Sequence, residues 1–263
     1  MTYRIIALDV DGTLLNDDHC LTARVRESVR AAARGGAEIV LCTGRGRTGA
    51  LAVLDELGLA GTMITHNGAS IVESDARSVL FEKAIPTRLV RRYVDFLQAR
   101  GIHYDMNTSF DLFVNRLGEE AALMYESLRA RPILRPETEG LPEGMVKLSV
   151  YAPEALLDDV ESIWRQWGHE LQCIRSGTHF IDIQHAEATK GNSLEQLANL
   201  RGVPREEVLA IGNYYNDIGM LAYAGRGVAM GNAPTEVKAA ADEMTAGNNE
   251  DGVALVLERL LGA

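Results

Sequence analysis

The sequence predicts an α/β protein built on a doubly wound parallel sheet, with an α+β segment inserted into it. Three observations lead to this prediction. Short β-branched runs alternate with amphipathic stretches in the first third of the chain, the same alternation returns in the last third, and strand pairs with paired helices lie between them. We therefore expect 1–85 and 185–263 to form one core, and 86–184 to form a second domain.

The first part of the chain reads as a β-α-β-α-β series, which implies parallel strands joined by right-handed crossovers. Its first helix has Thr22 as the predicted N-cap and ends at Gly35 and Gly36. A second helix is expected over roughly 46–57. The predicted strands are YRIIALD, AEIVLCTG and TMITHNG.

The inserted segment combines hairpins with paired helices, which is typical of an antiparallel sheet. The chain should leave the core near Pro86 and return near His185, in short loops. Helices are expected in TRLVRRYVDFLQARG, near 119–129 and in PEALLDDVESIWRQWG. The predicted strands are HYDMN, DLFVNRL, GMVKLSVYA, ELQCIRS and HFIDIQ.

The last part of the chain resumes the alternation of the first part. We expect helices from about 190, from about 215, from Pro234 and over about 251–261, with strands in EVLAIGN and RGVAM between them.

Composition argues against several kinds of partner and site. A formal charge of −11, with no block of lysine and arginine to offset it, argues against nucleic acid. No apolar run reaches the roughly 18 residues of a membrane span, and the N-terminus lacks a signal-peptide pattern, so we expect a cytoplasmic protein with no membrane partner. Cys20, Cys42 and Cys173 have no paired spacing, which predicts free thiols and no structural zinc. The sequence does not indicate the oligomeric state.

Polar residues follow the predicted strands of the core, where an open parallel sheet binds its ligands. Asp9 and Asp11 follow the first strand, Thr43 and Gly44 follow the second, and Lys190 opens a later helix. Two further strand ends carry His66-Asn67-Gly68 and Gly212-Asn213-Tyr214-Tyr215-Asn216-Asp217.

These residue types suit attack on a phosphate monoester with the help of Mg²⁺. Two carboxylates about 4 Å apart repel by roughly 4 kcal/mol at an effective dielectric near 20, and a phosphate dianion adds to the repulsion, so a divalent cation is needed. Asp9 is expected to attack phosphorus and form an aspartyl-phosphate. Asp11 is expected to protonate the leaving group and then activate water. Thr43, Gly44 and Lys190 are expected to bind the phosphate oxygens.

Five stretches, in this order and spacing, resemble the Cof-like (IIB) subfamily of the haloacid dehalogenase (HAD) superfamily of phosphatases: DVDGTLL, TGR, ATKGNSL, GNYYNDIGML and GVAMGNAPTEVKAAADEMTAGNNEDGVA. The resemblance covers the whole chain. It implies a Rossmann-like core, a cap at 86–184 that specifies the substrate, Mg²⁺, and hydrolysis of small phosphorylated metabolites such as sugar phosphates. By motif, Asp9 matches the nucleophile, Asp11 the acid/base, and Thr43 and Lys190 the phosphate-binding residues.

The GNYYND loop resembles the acidic loop that holds the metal in this family. The resemblance implies Asn213 and Asp217 as metal ligands beside Asp9 and Asp11, and Asn216 as a phosphate-binding residue. The family pattern is Gly-Asp-x-x-Asn-Asp, so Asn213 is a departure that removes one charge, and we expect lower metal affinity or turnover.

Two alternatives to a phosphatase stay open, and some of the assigned residues also fit structural roles. One alternative is a phosphotransferase or phosphomutase on the same core, and the other is a weakly active binding or regulatory homologue, because of Asn213. Lys190 also fits a solvated helix start, and Asn67 with Gly68 also fits a simple turn.

Overall fold

The computed structural model describes residues 3–127, 130–168 and 170–262. The chain divides into two units. We call Met1–Phe81 together with Thr189–Ala263 the core unit, and Glu82–Ala188 the inserted unit.

The described residues form fourteen strands: β1 Ile5–Leu8, β2 Glu38–Cys42, β3 Thr62–Thr65, β4 Ser70–Glu73, β5 Val79–Glu82, β6 His103–Thr108, β7 Leu112–Val114, β8 Ile133–Leu134, β9 Met145–Tyr151, β10 Leu171–Gly177, β11 Phe180–His185, β12 Val208–Gly212, β13 Arg226–Ala229 and β14 Glu243–Met244.

They also form nine α-helices: α1 Ala23–Arg34, α2 Arg47–Leu57, α3 Thr87–Arg100, α4 Glu119–Ser127, α5 Glu154–Trp164, α6 Lys190–Arg201, α7 Ile218–Tyr223, α8 Thr235–Ala239 and α9 Gly252–Leu261. The helix expected near 119–129 corresponds to α4, and residues 128 and 129 lie outside the described residues. Within the described ranges, every helix is too short or too polar to cross a lipid bilayer.

The core unit contains an eight-stranded sheet in the order β14-β13-β12-β1-β2-β3-β4-β5. β1 lies parallel to both of its neighbours, with Ala7 opposite Ala210 on one side and Val40 on the other. The strands from β14 to β3 are all parallel, which agrees with the predicted parallel sheet, although the short strand β14 was not itself predicted. The carboxyl ends of β1, β2, β3 and β12 therefore lie along one edge of the sheet.

Beyond β3 the sheet differs from the prediction, because β4 runs antiparallel to β3. The two strands are joined by the short turn His66–Gly68, in which His66 and Asn67 have φ values of 51° and 56°. A turn this short reverses the chain and leaves no room for the crossover that a parallel strand requires.

Helix α1 illustrates how the sequence determines local structure in the core unit. Thr22 caps it, since its side chain accepts a hydrogen bond from Val25 N, as predicted. Val25, Val29 and Ala32 form its buried face. Burying each of the larger apolar side chains stabilises the fold by roughly 1.5–3 kcal/mol.

The inserted unit contains a six-stranded sheet in the order β10-β11-β9-β6-β7-β8. Its strands are antiparallel, as predicted, except that the short strand β8, which was not predicted, runs parallel to β7. Side chains alternate between the two faces of a strand. One face is apolar and packs on α3 and α5 through Tyr104, Leu148, Val150 and Ile183. The other face is polar and buried, and includes Asp105, Asn107, Ser149, Asp182 and Gln184.

Candidate active site

Residues from three strand ends and one helix start meet at the edge of the core sheet. Asp9 follows β1, Thr43 follows β2 and Asn213 follows β12, and β1 pairs in parallel with both other strands. Lys190 is the first residue of α6, and its ammonium contacts Asp9. The sheet topology thus brings together side chains that lie up to 204 residues apart in the sequence, from Asp9 to Asn213.

The two carboxylate oxygens of Asp9 have different surroundings. Asp9 is 5% exposed, and its Oδ1 accepts a hydrogen bond from Lys190 Nζ at 2.7 Å. Its Oδ2 faces the side-chain amide of Asn213. Burial and then repulsion from Asp217 raise the pKa of Asp9 to about 7, although the Lys190 ammonium acts in the opposite direction.

Lys190 joins two buried carboxylates. Its Nζ lies 2.7 Å from Asp9 Oδ1 and 2.6 Å from Asp217 Oδ1, and its side chain is fully buried. Burial alone would lower the pKa of Lys190, but the two carboxylates outweigh burial and raise it. One ammonium faces two carboxylates, so this buried cluster can carry an excess negative charge that would attract a cation.

Asp217 is fully engaged within this cluster. Its Oδ1 accepts from Lys190 Nζ at 2.6 Å, and its Oδ2 accepts from the backbone N of Asn213 at 2.8 Å and of Tyr214 at 2.9 Å. Asp217 therefore fixes the start of the GNYYND loop and the Lys190 side chain.

The side-chain amide of Asn213 points at three oxygen atoms. One end of the amide lies 3.1 Å from Thr13 Oγ1, 2.9 Å from Asp9 Oδ2 and 3.0 Å from the backbone oxygen of Asp11. With no ion among these atoms, the amide nitrogen occupies this position and donates to them. With a cation among them, the amide would turn by half a rotation and present its oxygen.

The oxygen atoms around the Asn213 amide are of the kind that a small, hard divalent cation binds. Among the described residues, no three His, Cys, Asp or Glu side chains are grouped to hold a metal. The set instead offers one carboxylate, one amide and one backbone carbonyl, which suits a hard cation that keeps several waters.

The carboxylate of Asp11 points away from this set and forms an ion pair with Arg45. Arg45 Nε lies 2.9 Å from Asp11 Oδ2, and Arg45 Nη2 lies 2.5 Å from Asp11 Oδ1. The side chains of Arg45 and Asp11 are 32% and 47% exposed. Asp11 therefore presents its backbone oxygen to the Asn213 amide and its carboxylate to a more exposed position.

Thr43, Gly44 and Asn216 come together around Asn67. Thr43 is 1% exposed, and its Oγ1 accepts from Arg45 N at 3.0 Å, which leaves the hydroxyl hydrogen available to donate. A Cβ on Gly44 would lie only 2.9 Å from Asn67 Oδ1, so any other residue there would displace the Asn67 side chain. Asn67 Oδ1 in turn accepts from Asn216 Nδ2 at 2.9 Å.

The structure thus brings the predicted residues together in two groups. Asp9, Lys190, Asn213 and Asp217 form one connected cluster. The other group contains Thr43, Gly44 and Asn216 around Asn67. From the sequence, Asn67 fitted either a simple turn or a functional role. Neither the Asp217 carboxylate nor the Asp11 carboxylate lies among the oxygens that face the Asn213 amide, and the expectation that both residues are metal ligands stays a prediction.

Sequence reasoning did not single out Thr13 and Arg45. Both lie inside stretches that carried the prediction, DVDGTLL and TGR, but spacing alone gave no indication of their contacts. Thr13 is buried against the Asn213 amide, and Arg45 pairs with Asp11 across 34 positions of sequence.

Comparisons with known proteins agree in fold and in activity. The model of the haloacid dehalogenase-like hydrolase family matches residues 6–257. The protein YxeH of Bacillus subtilis (strain 168) is 35% identical over 272 residues, which cover 98% of this chain and 98% of YxeH. The pyridoxal phosphate phosphatase YbhA of Escherichia coli (strain K12) is 29% identical, with 97% of each chain covered.

Solved structures lead to the same fold. The crystal structure of a haloacid dehalogenase-like hydrolase from Bacteroides thetaiotaomicron is 28% identical and has a TM-score of 0.89, with 98% of this chain and 100% of that chain covered.

Proposed function

Because the chain belongs to the haloacid dehalogenase-like hydrolase family and is a phosphatase, we propose that it hydrolyses small phosphorylated metabolites through an aspartyl-phosphate on Asp9, with Mg²⁺ as its cofactor. The observation that carries this proposal is the asymmetric environment of the Asp9 carboxylate. Lys190 Nζ lies 2.7 Å from Oδ1, while Oδ2 lies 2.9 Å from the Asn213 side-chain amide, which also lies 3.0 Å from the backbone oxygen of Asp11.

In the proposed first step, an Asp9 oxygen attacks phosphorus while the bond from phosphorus to the leaving oxygen breaks. Asp11, as the carboxylic acid, gives its proton to that leaving oxygen. In the second step, the Asp11 carboxylate takes a proton from water as the water oxygen attacks phosphorus, and the Asp9–phosphorus bond breaks. Free phosphate and the original Asp9 carboxylate result, so protons and bonds balance.

The phosphate oxygens would be bound by groups at the edge of the sheet. Thr43 has a free hydroxyl hydrogen, Gly44 has its backbone N–H, and Asn216 lies beside them. Lys190 uses two of its three donors on carboxylates, which leaves one for a phosphate oxygen.

The residues that would hold Mg²⁺ are Asp9 through Oδ2, Asp11 through its backbone oxygen and Asn213 through its amide oxygen. When bound, the cation would neutralise negative charge on the phosphate and on Asp9. Asp217 supports this set by fixing the backbone of Asn213 and the ammonium of Lys190.

The proposal assigns selection of the leaving group to the inserted unit. The polar face of its sheet carries carboxylates and amides together with Lys147, whose Nζ lies 3.4 Å from Asp182 Oδ2. Such groups pair well with the hydroxyls of a sugar or a similar metabolite. The activity named for the relative YbhA, on pyridoxal phosphate, supports a small phosphorylated substrate.

The three cysteines are free thiols, which is typical of cytoplasmic proteins.

A screen of phosphorylated metabolites tests the proposal directly. Phosphate release would be measured with Mg²⁺ and with a chelator, first on p-nitrophenyl phosphate and then on sugar phosphates and pyridoxal phosphate. We expect Mg²⁺-dependent release and a phosphorylated Asp9 detectable by mass spectrometry after acid quench. Release that persists without a divalent ion, or a phosphoryl group on another residue, would contradict the mechanism. Adding an acceptor sugar to the assay separates hydrolysis, which releases free phosphate, from phosphoryl transfer, which gives a phosphorylated sugar.

A further inference from the structure

Arg45 holds the carboxylate of Asp11 by both oxygens. Its Nε lies 2.9 Å from Oδ2 and its Nη2 lies 2.5 Å from Oδ1, which is the forked geometry that fixes a carboxylate in one orientation. The His19 side chain also lies near this carboxylate, with Nδ1 at 4.0 Å from Oδ1, and it is 77% exposed.

The backbone of Arg45 is fixed at both polar atoms. Its N donates to Thr43 Oγ1 at 3.0 Å, and its carbonyl oxygen accepts from His66 N at 3.0 Å. Helix α2 also leaves room for the side chain at Gly49, since a Cβ there would lie 3.3 Å from Arg45 Cδ. The guanidinium therefore projects from a rigid position between the ends of β2 and β3.

A contribution to stability does not account for this arrangement. Both side chains are partly exposed, at 32% and 47%, and exposed ion pairs contribute only about 0–1 kcal/mol. Asp11 has more freedom without Arg45, because no other hydrogen bond to its carboxylate is present among the described residues. The ion pair between Arg45 and Asp11 instead selects one orientation of the Asp11 side chain, two residues from Asp9.

We propose that Arg45 is the positioning residue for Asp11, and that it aims the Asp11 carboxyl at the leaving oxygen of the substrate. This inference rests on the proposed function. A carboxylate offers about four lone-pair sites, and the fork of Arg45 uses two of them, so one face stays free for proton transfer. In this arrangement Nε and Nη2 of Arg45 are both directed at the Asp11 carboxylate.

The proposal predicts a dependence on the leaving group. Phenol needs a proton to leave more than p-nitrophenol does, and the two aryl phosphates have nearly the same shape. With Arg45→Ala, kcat/KM for phenyl phosphate should fall about 10- to 100-fold, which is part of the usual effect of acid catalysis. The value for p-nitrophenyl phosphate should fall less than about threefold. Arg45→Lys keeps the charge but loses the fork, and should give an intermediate loss on phenyl phosphate.

Two controls isolate the positioning role. Arg34→Ala removes another exposed arginine with an ion pair, to Glu27 at 2.6 Å, and should leave both rates unchanged. In an Asp11→Asn background, Arg45→Ala should cause no further loss on phenyl phosphate, because its effect acts through Asp11. Thermal melts of every variant show whether the fold is intact, and Arg45→Lys serves if Arg45→Ala does not fold.

The outcomes separate this inference from the proposed function. An equal loss on both esters, or an additive loss in the Asp11→Asn background, would overturn the role of Arg45. A more than tenfold rise in the inhibition constant of inorganic phosphate would also overturn it, since Arg45 would then bind phosphate itself. If the unmodified enzyme releases phosphate from neither ester with Mg²⁺, the proposed function fails first.

Discussion

At the scale of single residues, Asp9 is a buried carboxylate whose two oxygens contact different side chains. Lys190 holds one oxygen, and the Asn213 amide faces the other. A group that attacks phosphorus needs such fixed surroundings, because phosphoryl transfer depends mainly on positioning and electrostatics.

Replacing Asp9 by asparagine should abolish turnover without weakening the fold. The amide cannot form the aspartyl-phosphate, while its oxygen can still accept from Lys190. The change also removes a buried negative charge that is repelled by Asp217. Steady-state phosphate release measures the loss of turnover, and a thermal melt measures the stability of the fold. Asp18→Asn, at an exposed position, is the control. Measurable turnover by clean Asp9→Asn enzyme would mean that another residue is the nucleophile.

Asn213→Asp should strengthen Mg²⁺ binding and weaken the metal-free enzyme. An added charge about 4 Å from a divalent ion offers up to roughly 8 kcal/mol at an effective dielectric near 20, and we expect about 1–2 kcal/mol to remain after desolvation and repulsion. The half-saturating Mg²⁺ concentration should therefore fall roughly 5- to 30-fold. In a chelator the melting temperature should fall, because the donors to Asp9 and to the Asp11 carbonyl are lost.

Asn199→Asp is the matched control, since Asn199 is exposed on α6 and gains the same charge away from the site. It should change neither the Mg²⁺ dependence nor the melt in chelator. Unchanged values for Asn213→Asp as well would show that residue 213 does not face the metal.

At the scale of elements, helix α1 depends on one hydroxyl for its N-terminus. Thr22 Oγ1 accepts from Val25 N at 3.2 Å and donates to Asp251 Oδ1 at 2.6 Å. Thr22→Ala should lower the free energy of unfolding by about 1–2 kcal/mol, measured by denaturant titration. Thr22→Ser keeps the hydroxyl and should recover most of the loss. Equal losses for both variants would show that the Thr22 methyl group, rather than the cap, stabilises this region.

The elements of the core could be predicted because their signals are local. The cap at Thr22 and the glycines after α1 lie within one or two turns of the residues they affect, and strand β1 is a continuous apolar run. A turn at Asn67 was one of the alternatives left open, but the antiparallel strand after it was not predicted, since Asn-Gly fits several turn types and tertiary contacts select one. Asp9 and Lys190 were predicted as site residues from their places at a strand end and a helix start together with the motifs around them, and the structure places the two side chains in contact.

The contacts between these residues could not be predicted, because they depend on side-chain orientation across the sheet. Asp217 shares the loop of Asn213, yet its carboxylate turns to Lys190 and to backbone N–H groups. Asp11 lies two residues from Asp9, yet its carboxylate turns to Arg45. Spacing fixes which strand end a residue occupies, but the rotamer that it adopts is set by partners distant in sequence.

At the scale of the whole molecule, each unit buries polar groups as well as an apolar core. In the inserted unit, Asp105 is 5% exposed on the polar face of the sheet. Its Oδ1 accepts from Asn107 Nδ2 at 2.5 Å and its Oδ2 from Tyr125 OH at 3.0 Å. Burial and then repulsion from Asp182 raise the pKa of Asp105 from 3.8 to about 6, although Lys147 and both hydrogen bonds lower it.

This raised pKa should make the stability of the inserted unit fall as the pH rises. In the unfolded chain Asp105 loses its proton near its ordinary value of 3.8, whereas in the folded chain it keeps the proton to about pH 6. The folded state therefore binds more protons between these values, and the free energy of unfolding decreases with pH across that window. The total effect is on the order of 2–3 kcal/mol, at about 1.4 kcal/mol per pKa unit.

Asp105→Asn removes this titration while keeping an oxygen that can accept from Tyr125 or Asn107. The variant should gain stability relative to the unmodified protein as the pH rises from 4 to 7, and thermal melts across that range measure the difference.

His103 also contacts Tyr125 OH, at 2.9 Å, and burial lowers the pKa of His103, so the comparison is made at matched pH to cancel its contribution. Asp159→Asn, on the exposed side of α5, is the control and should show no such trend. A stability difference for Asp105→Asn that stays constant with pH would mean that Asp105 is ionised in the folded state throughout this range, with Lys147 and the two hydrogen-bond donors outweighing burial.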